Sequence, residues 1–318
     1  PDYAEAYFNL ALIELLNGNY QSGLELYEFR LQRKNIPVLQ SDPIIKRVGD
    51  RKLQQGEKLL VVSEQGLGDT LQFMRYIPYI RHQGIDVSFC AQPELHSLIK
   101  ASGIDQNPLT PEQATQISDG QWMPLLSLAR YLNITPKKPI VSKPYISSTN
   151  ELVNKWKELF SQEKRPIVGL NWQGNPGMEK ETYIGRSIPL ETFSKLVEQN
   201  DITILSLQKG FGSEQLEHCS FQNRFISCQP QMDATCDFLE TAAIIENCDL
   251  IITSDTSVAH LAGGMGKPVW VLLKDIPGWI WGLESEHTFW YPSMQLFRQK
   301  ERHNWQEVIE RVSNKLPV

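Results

Sequence analysis

No run of about eighteen apolar residues occurs anywhere in this 318-residue chain, so no segment is expected to cross a membrane as a helix. Basic charge is not in excess either. The 31 Lys and Arg stand against 37 Asp and Glu, a net charge of -6, which excludes the positive field that a nucleic-acid surface requires. Cysteine is scarce: Cys90, Cys219, Cys228, Cys236 and Cys248 are odd in number and lack CxxC spacing. They are expected to be free thiols of a reducing, cytoplasmic compartment rather than zinc ligands or disulfides. HExxH, DxD and clustered Cys/His sets are missing from the glycine-rich stretches, so no bound metal is expected there. No charged segment followed by an apolar one opens the chain, so no secretory leader is expected. The chain starts at Pro1 in mid-pattern, and a longer parent protein is expected.

What is present reads as alternating α/β structure behind a helical start. AEAYFNLALIELL carries an apolar stripe, Asn17-Gly18-Asn19 breaks it, and YQSGLELYEFRL resumes it, as two antiparallel helices would. Ala6, Tyr7, Asn9, Leu10, Ala11, Gly18, Tyr20, Gly23 and Tyr27 resemble the small and aromatic positions of a tetratricopeptide repeat. One such unit cannot bury its own face and must stack on something. A short helix is expected within 42–54. LLVVS (59–63) then reads as a strand, EQGLGD as a turn, and TLQFMRYIPYIRHQG as a helix kinked by Pro78. IDVSFCA (85–91) is the next strand and PELHSLIKAS the next helix, the pattern of a parallel sheet. The Pro- and Ser-rich stretch near 148 reads as a linker. A second α/β series follows: strands at 166–173, 202–208, 249–255 and within KPVWVLL, with a further strand within RFISC. Helices are expected at PLETFSKLVEQ, TSVAHLAGGM and DFLETAAIIENC, the last with Asp237 and Glu240 at capping-box spacing. The predicted organisation is a helical hairpin (1–35), a first Rossmann-like domain (36–148), a second (149–300) and a closing helix (301–318).

Ligands of open α/β sheets bind at the C-terminal ends of strands, and four such ends carry chemistry. Gly66-x-Gly68 lacks the third glycine of a dinucleotide fingerprint, so it marks a tight turn rather than a nicotinamide site. Asp69 beyond it can cap the helix or act as a general base. In SDTSVAHLAGGMGKP, Asp255 ends a strand and Thr256 and Ser257 open a helix, where exposed N–H groups and hydroxyls suit phosphate. His260 lies on the same helix face as Thr256 and can donate to a phosphate or pack inside. Gly263 and Gly264 admit a close neighbour. A polar loop after Trp172 carries Gln173 and Asn175 and ends at Arg186, whose fork of donors suits phosphate oxygens or simply faces solvent. Lys209 and Glu214 follow another strand end and read equally as ligands or exposed charges. The aromatic run 277–299 reads chiefly as a structural plug.

EQGLGDTLQFMRYIP, Trp172-Gln-Gly-Asn-Pro, Gly185-Arg-Ser-Ile-Pro-Leu, DTSVAHLAGGMGKPVWVLL and FWYPSMQLFRQ, in this order, resemble bacterial proteins that carry tetratricopeptide repeats ahead of a glycosyltransferase domain. That domain is similar to the lipopolysaccharide heptosyltransferases of glycosyltransferase family 9. The resemblance covers nearly all of residues 1–316 and implies a GT-B fold, two Rossmann-like domains facing across a cleft, with the last helix packed back on the first domain. It implies an inverting, metal-independent transfer from a nucleotide-diphosphate sugar, with no other cofactor. Asp69 matches the family's candidate base. Asp255, Thr256, Ser257 and His260 match its donor-diphosphate segment, with Ser257 where the family has glycine. Arg186 stands near its phosphate-contacting lysine, and Glu214 near its nucleotide-side glutamate. His260, expected to be catalytic with Asp69 by stabilising the leaving phosphate, and Lys209 complete the expected set around the diphosphate. The acceptor is a glycan, a lipid-linked sugar or a protein side chain, and the repeat-like segment offers a surface to a protein partner. Two other readings compete: a catalytically silent repeat-bearing interaction module, and another sugar-nucleotide enzyme such as an epimerase.

Overall fold

The computed structural model describes residues 3–34, 38–180, 184–235 and 237–316, without the side chain of Lys180; Cys236 lies outside them. The chain divides into two units, 1–147 and 148–318.

The first unit opens with α1 (Tyr3–Leu16) and α2 (Tyr20–Tyr27), which form the expected hairpin, and a 3-10 turn over Glu28–Gln32 prolongs it. Ala11 and Leu15 of α1 are buried against α2. Strand β1 (Lys58–Val62) follows, then α3 (Leu67–Phe73), α4 (Tyr76–His82), β2 (Asp86–Cys90), α5 (His96–Ala101), α6 (Pro111–Thr115), β3 (Gln121–Pro124) and α7 (Ser127–Leu132). The three strands form a parallel sheet in the order β2-β1-β3. Two local expectations need correction. Residues 42–54 form no helix: Val48 N–H donates to Trp122 O and Trp122 N–H to Lys46 O, so the segment runs extended beside β3, as Pro43 and Gly49 favour. The single kinked helix is two helices. Pro78 has no N–H to offer Met74 O four residues back, and the chain breaks at Met74-Arg75.

The second unit contains α8 (Asn150–Leu159), β4 (Ile167–Asn171), α9 (Ser194–Gln199), β5 (Thr203–Ser206), α10 (Gln229–Asp233), α11 (Phe238–Glu246), β6 (Leu250–Ser254), α12 (Ser257–Gly264), β7 (Val269–Leu273), β8 (His287–Thr288), β9 (Tyr291–Arg298) and α13 (Trp305–Lys315). Its sheet runs β5-β4-β6-β7-β9-β8, parallel except for β8 at the edge. Five consecutive parallel strands, β5, β4, β6, β7 and β9, therefore deliver their C-terminal ends to one edge. RFISC contributes only a bridge from Phe225 to Ile204 rather than a strand. Asp237 caps α11 through Leu239 N–H at 2.8 Å, but Glu240 does not complete a capping box; it accepts from Trp156 Nε1 at 3.0 Å and from Lys155. The closing helix, expected on the N-terminal domain, buries Trp305, Val308, Ile309 and Val312 in the second unit's own core, against α9 and β9. The aromatic run matches its structural reading. Trp281, Trp290 and Tyr291 are almost fully buried around β8 and β9. At Gly263 a Cβ would lie 2.8 Å from the Tyr291 ring, so only glycine lets α12 pack this close to β9.

Candidate functional site

The site at the second sheet's C-terminal edge is built from side-chain amides and hydroxyls that the apolar strand pattern hides. Asn171 ends β4, and its Oδ1 accepts from Thr256 Oγ1 at 2.8 Å and Thr253 Oγ1 at 3.1 Å. Thr256, the N-cap residue of α12, thus turns its hydroxyl to Asn171 and does not cap the helix with it. Ala259 N–H donates to Thr256 O at 3.1 Å, and the N–H groups of Ser257 and Val258 ahead of it are the ones presented to an anion, the arrangement that draws phosphate to helix N-termini. Ser257 opens the helix, and the Ser254 hydroxyl behind it is buried without a partner among the described residues.

Arg186 reaches this helix start from the loop after β4. Its Nη1 donates to Asp255 O at 3.1 Å and its Nε to Glu179 Oε1 at 3.3 Å. The Ser187 hydroxyl also donates to Glu179. A Cβ on Gly174 would stand 2.3 Å from Arg186 Nη2, so the guanidinium lies on bare glycine backbone. Burial pushes the Asp255 carboxyl above its ordinary value; the Trp281 indole, Arg186 and Lys274 pull it the other way. The Trp281 N–H is directed toward that carboxyl without reaching ordinary hydrogen-bond geometry. Trp281 also stacks on His260, with ring centroids 5.3 Å apart, and His260 Nδ1 lies 2.9 Å from Tyr291 Oη. His260 is therefore both packed and held by one nitrogen.

Arg186, Asp255, Thr256, Ser257 and His260 come together at the start of α12. Lys209 and Glu214 belong to the loop after β5; Glu214 is engaged within it, and Lys209 reaches out to Thr235 and α11. Lys209 Nζ donates to Thr235 O, Thr235 Oγ1 and Thr241 Oγ1 at 2.9–3.0 Å. Glu214 accepts from Gly212 N–H at 2.8 Å. Trp172 is buried and donates to Gly212 O; Gln173 Oε1 accepts from Gln215; Asn175 closes a turn onto Gly177 N–H. Gln208 ties these loops together and escaped the sequence reading. Its Oε1 accepts from Asn171 Nδ2, Trp172 N and Gln173 N, while its Nε2 donates to Gln173 O and Phe211 O. The available signal was an amide directly after an apolar strand, a position where a buried polar side chain must find partners.

In the first unit, Gly66 precedes α3, and Gly68 and Asp69 fall in its first turn. Asp69 Oδ2 accepts from Gly66 N–H at 3.0 Å, and the residue is half-buried. Gln65 carries φ +61°, the left-handed region, directly ahead of the glycines. Among the described residues no group of three or more His, Cys, Asp or Glu is placed to hold a metal ion, and no helix is long and apolar enough to cross a membrane.

No protein-family model matches the chain. Protein FlbA of Caulobacter vibrioides is 24% identical over 344 residues, spanning 99% of this chain and 55% of that protein. The chain thus spans about half the length of the curated relative it matches. The structure of a glycosyl transferase family 9 protein from Veillonella parvula superposes with a TM-score of 0.51 at 10% identity, covering 85% of this chain and 92% of that one. An Escherichia coli ADP-heptose lipopolysaccharide heptosyltransferase II gives 0.46 at 13% identity, over 82% and 97%. The chain has an α/β, GT-B-like fold with two mixed helix/strand domains.

Proposed function

We propose that the chain is a glycosyltransferase. It moves a sugar from a nucleotide-diphosphate sugar to an acceptor hydroxyl, with inversion and without a bound metal. The observation that carries this reading is the start of α12: N–H groups that Thr256 does not cap, with Arg186 folded over them and Thr256, Ser257 and His260 alongside. Charge develops on the leaving diphosphate, and a site without a metal must meet it with such donors. Asp69 is the candidate base for the acceptor hydroxyl. Arg186 is the donor of widest reach, because its guanidinium can exchange Glu179 and the Asp255 carbonyl for phosphate oxygens. The acceptor is a glycan, a lipid-linked sugar or a protein side chain.

Titration calorimetry with UDP, GDP and ADP tests the donor side. One of them is expected to bind, and Arg186→Ala to weaken it by about 10–100-fold, the worth of a hydrogen bond to a charged group. Equal affinity in variant and parent removes Arg186 from the site, and no binding in the parent removes the reading. Chelation gives a second test. Release of nucleoside diphosphate is expected to proceed at the parent rate in EDTA. Loss in chelator with recovery on adding magnesium or manganese would show that a metal takes part.

A further inference from the structure

The repeat-like hairpin meets the first sheet through an arrangement that a mere appendage does not need. Arg30 and Glu64 are both fully buried. Arg30 Nε and Nη2 grip the Glu64 carboxylate at 2.9 and 2.7 Å, and Nη2 also reaches Ser127 Oγ at 2.9 Å. Glu64 lies two residues past the end of β1 and is the first residue of the EQGLGD turn. Its Oε1 accepts as well from Leu126 N–H at 3.2 Å. The next residue, Gln65, is held by its backbone N–H on Val38 O and by its amide on the Tyr27 hydroxyl at 3.1 Å. That residue carries the left-handed φ, a conformation that persists in a non-glycine residue where its surroundings over-determine it. Immediately afterwards the Gly66 N–H binds Asp69 Oδ2. A continuous path of hydrogen bonds and adjacent residues therefore runs from the last turn of the hairpin to the Asp69 carboxyl.

We propose that the hairpin sets the glycine turn, with Tyr27 and Arg30 as positioning residues that hold Glu64 and Gln65 and, through them, aim the Asp69 carboxyl. This rests on Asp69 as the base of the transfer reading. The electrostatics agree with the geometry. Burial pushes the Tyr27 phenol up to about 12; Arg30 and Gln65 oppose that, and the charges of Asp69 and Glu64 add to it. Tyr27 thus lies within electrostatic reach of the carboxyl that the turn presents. Glu28 and Arg47 extend the network outward. Glu28 accepts from Arg30, Ser127 and Arg47, so the last helical turn of the hairpin, the end of β1 and the start of α7 share one set of charges.

Two variants separate positioning from bulk stability. Tyr27→Phe removes one hydroxyl and nothing else. The pair R30M/E64Q removes the ion pair without leaving a buried charge unpaired, and its amide keeps an acceptor for Leu126 N–H. Tyr27→Phe is expected to melt with the parent, and R30M/E64Q close to it. Both are expected to speed amide exchange across residues 65–70 and to lower kcat for nucleoside-diphosphate release by about 10–10²-fold, the effect of a small misplacement of a reacting group. The KM for the nucleotide sugar is expected to stay at the parent value, since Arg186 and Thr256 are untouched. Parent-like exchange at 65–70 together with parent-like kcat overturns the proposal. So does a lowered melting point in R30M/E64Q with kcat per folded molecule intact, which would leave the pair a structural role alone. If the parent binds no nucleoside diphosphate, the transfer reading fails, and the exchange measurement by itself decides whether the hairpin holds the turn.

Discussion

Asp69→Asn is expected to lower transfer by roughly 10²–10⁴-fold, the range spanned by general base catalysis, while the protein melts close to the parent. The two expectations rest on one geometry. Asp69 lies in the first turn of α3, and its Oδ2 accepts the Gly66 N–H at 3.0 Å, so the carboxylate has a capping role. Asparagine carries a carbonyl oxygen at the same reach and caps nearly as well, whereas loss of a cap altogether costs about 0.5–2 kcal/mol. Proton acceptance is what the substitution removes. A carboxylate offers several lone-pair sites, so bonding to Gly66 does not exhaust its capacity. Nucleotide binding should survive, because the residues proposed to hold the diphosphate belong to the second unit. The measurement pairs a melting curve with release of nucleoside diphosphate in the presence of an acceptor that the parent glycosylates. Turnover near the parent rate would end the base assignment. A large drop in melting temperature with a modest rate loss would return Asp69 to capping alone.

Much of this architecture was legible in residue order. The switch from helical stripe to short apolar strands near residue 59, and the strands read at 166–173 and 249–255 that the structure shortens to Ile167–Asn171 and Leu250–Ser254, follow from periodicity and from the turn residues beyond them. The helix start at Thr256-Ser257 after a strand was legible, while the turn of the Thr256 hydroxyl to Asn171 was not. Three further features were not. Residues 42–54 have helix-compatible side chains, but the hydrogen bonds offered by Trp122 outweigh that weak local preference. Gln208 looks like any polar residue closing a strand, and its value comes from loops distant in sequence that it joins. Arg30 shows the same limit more sharply. Within YQSGLELYEFRL it reads as a charge on a helical hairpin, yet it is fully buried, because its partner Glu64 lies thirty-four residues on. Pattern reveals which face of an element is apolar; it does not reveal which buried charge meets which.

That buried pair carries the largest stability effect expected in the chain. Arg30→Met should destabilise the first unit by about 3–5 kcal/mol, the usual cost of removing one partner of a buried ion pair. Most of the cost comes from what remains. Glu64, with no exposed surface, would keep among the described residues only the Leu126 N–H at 3.2 Å, leaving its charge buried with little compensation. In the parent, burial works against the Arg30 charge, but Glu64 and Glu28 outweigh it and hold the guanidinium protonated. Adding Glu64→Gln removes the orphaned charge, so R30M/E64Q should recover most of the loss, as neutral replacements of buried pairs commonly do. Acid provides an independent check. Burial would raise the Glu28 carboxyl, but Arg30, Ser127 and Arg47 outweigh it and hold Glu28 below its ordinary value of 4.5. A carboxyl held down in this way contributes stability that is complete above 4.5 and is lost as pH falls through its lower folded value. The parent's first unit should therefore weaken in acid below that value. Arg30→Met should flatten the part of the dependence that Glu28 owes to Arg30, leaving Arg47 and Ser127 as its partners. Denaturant melts across that pH range, with hydrogen exchange resolving the first unit from the second, measure both effects. An unchanged stability in Arg30→Met would show that the pair does not anchor the hairpin.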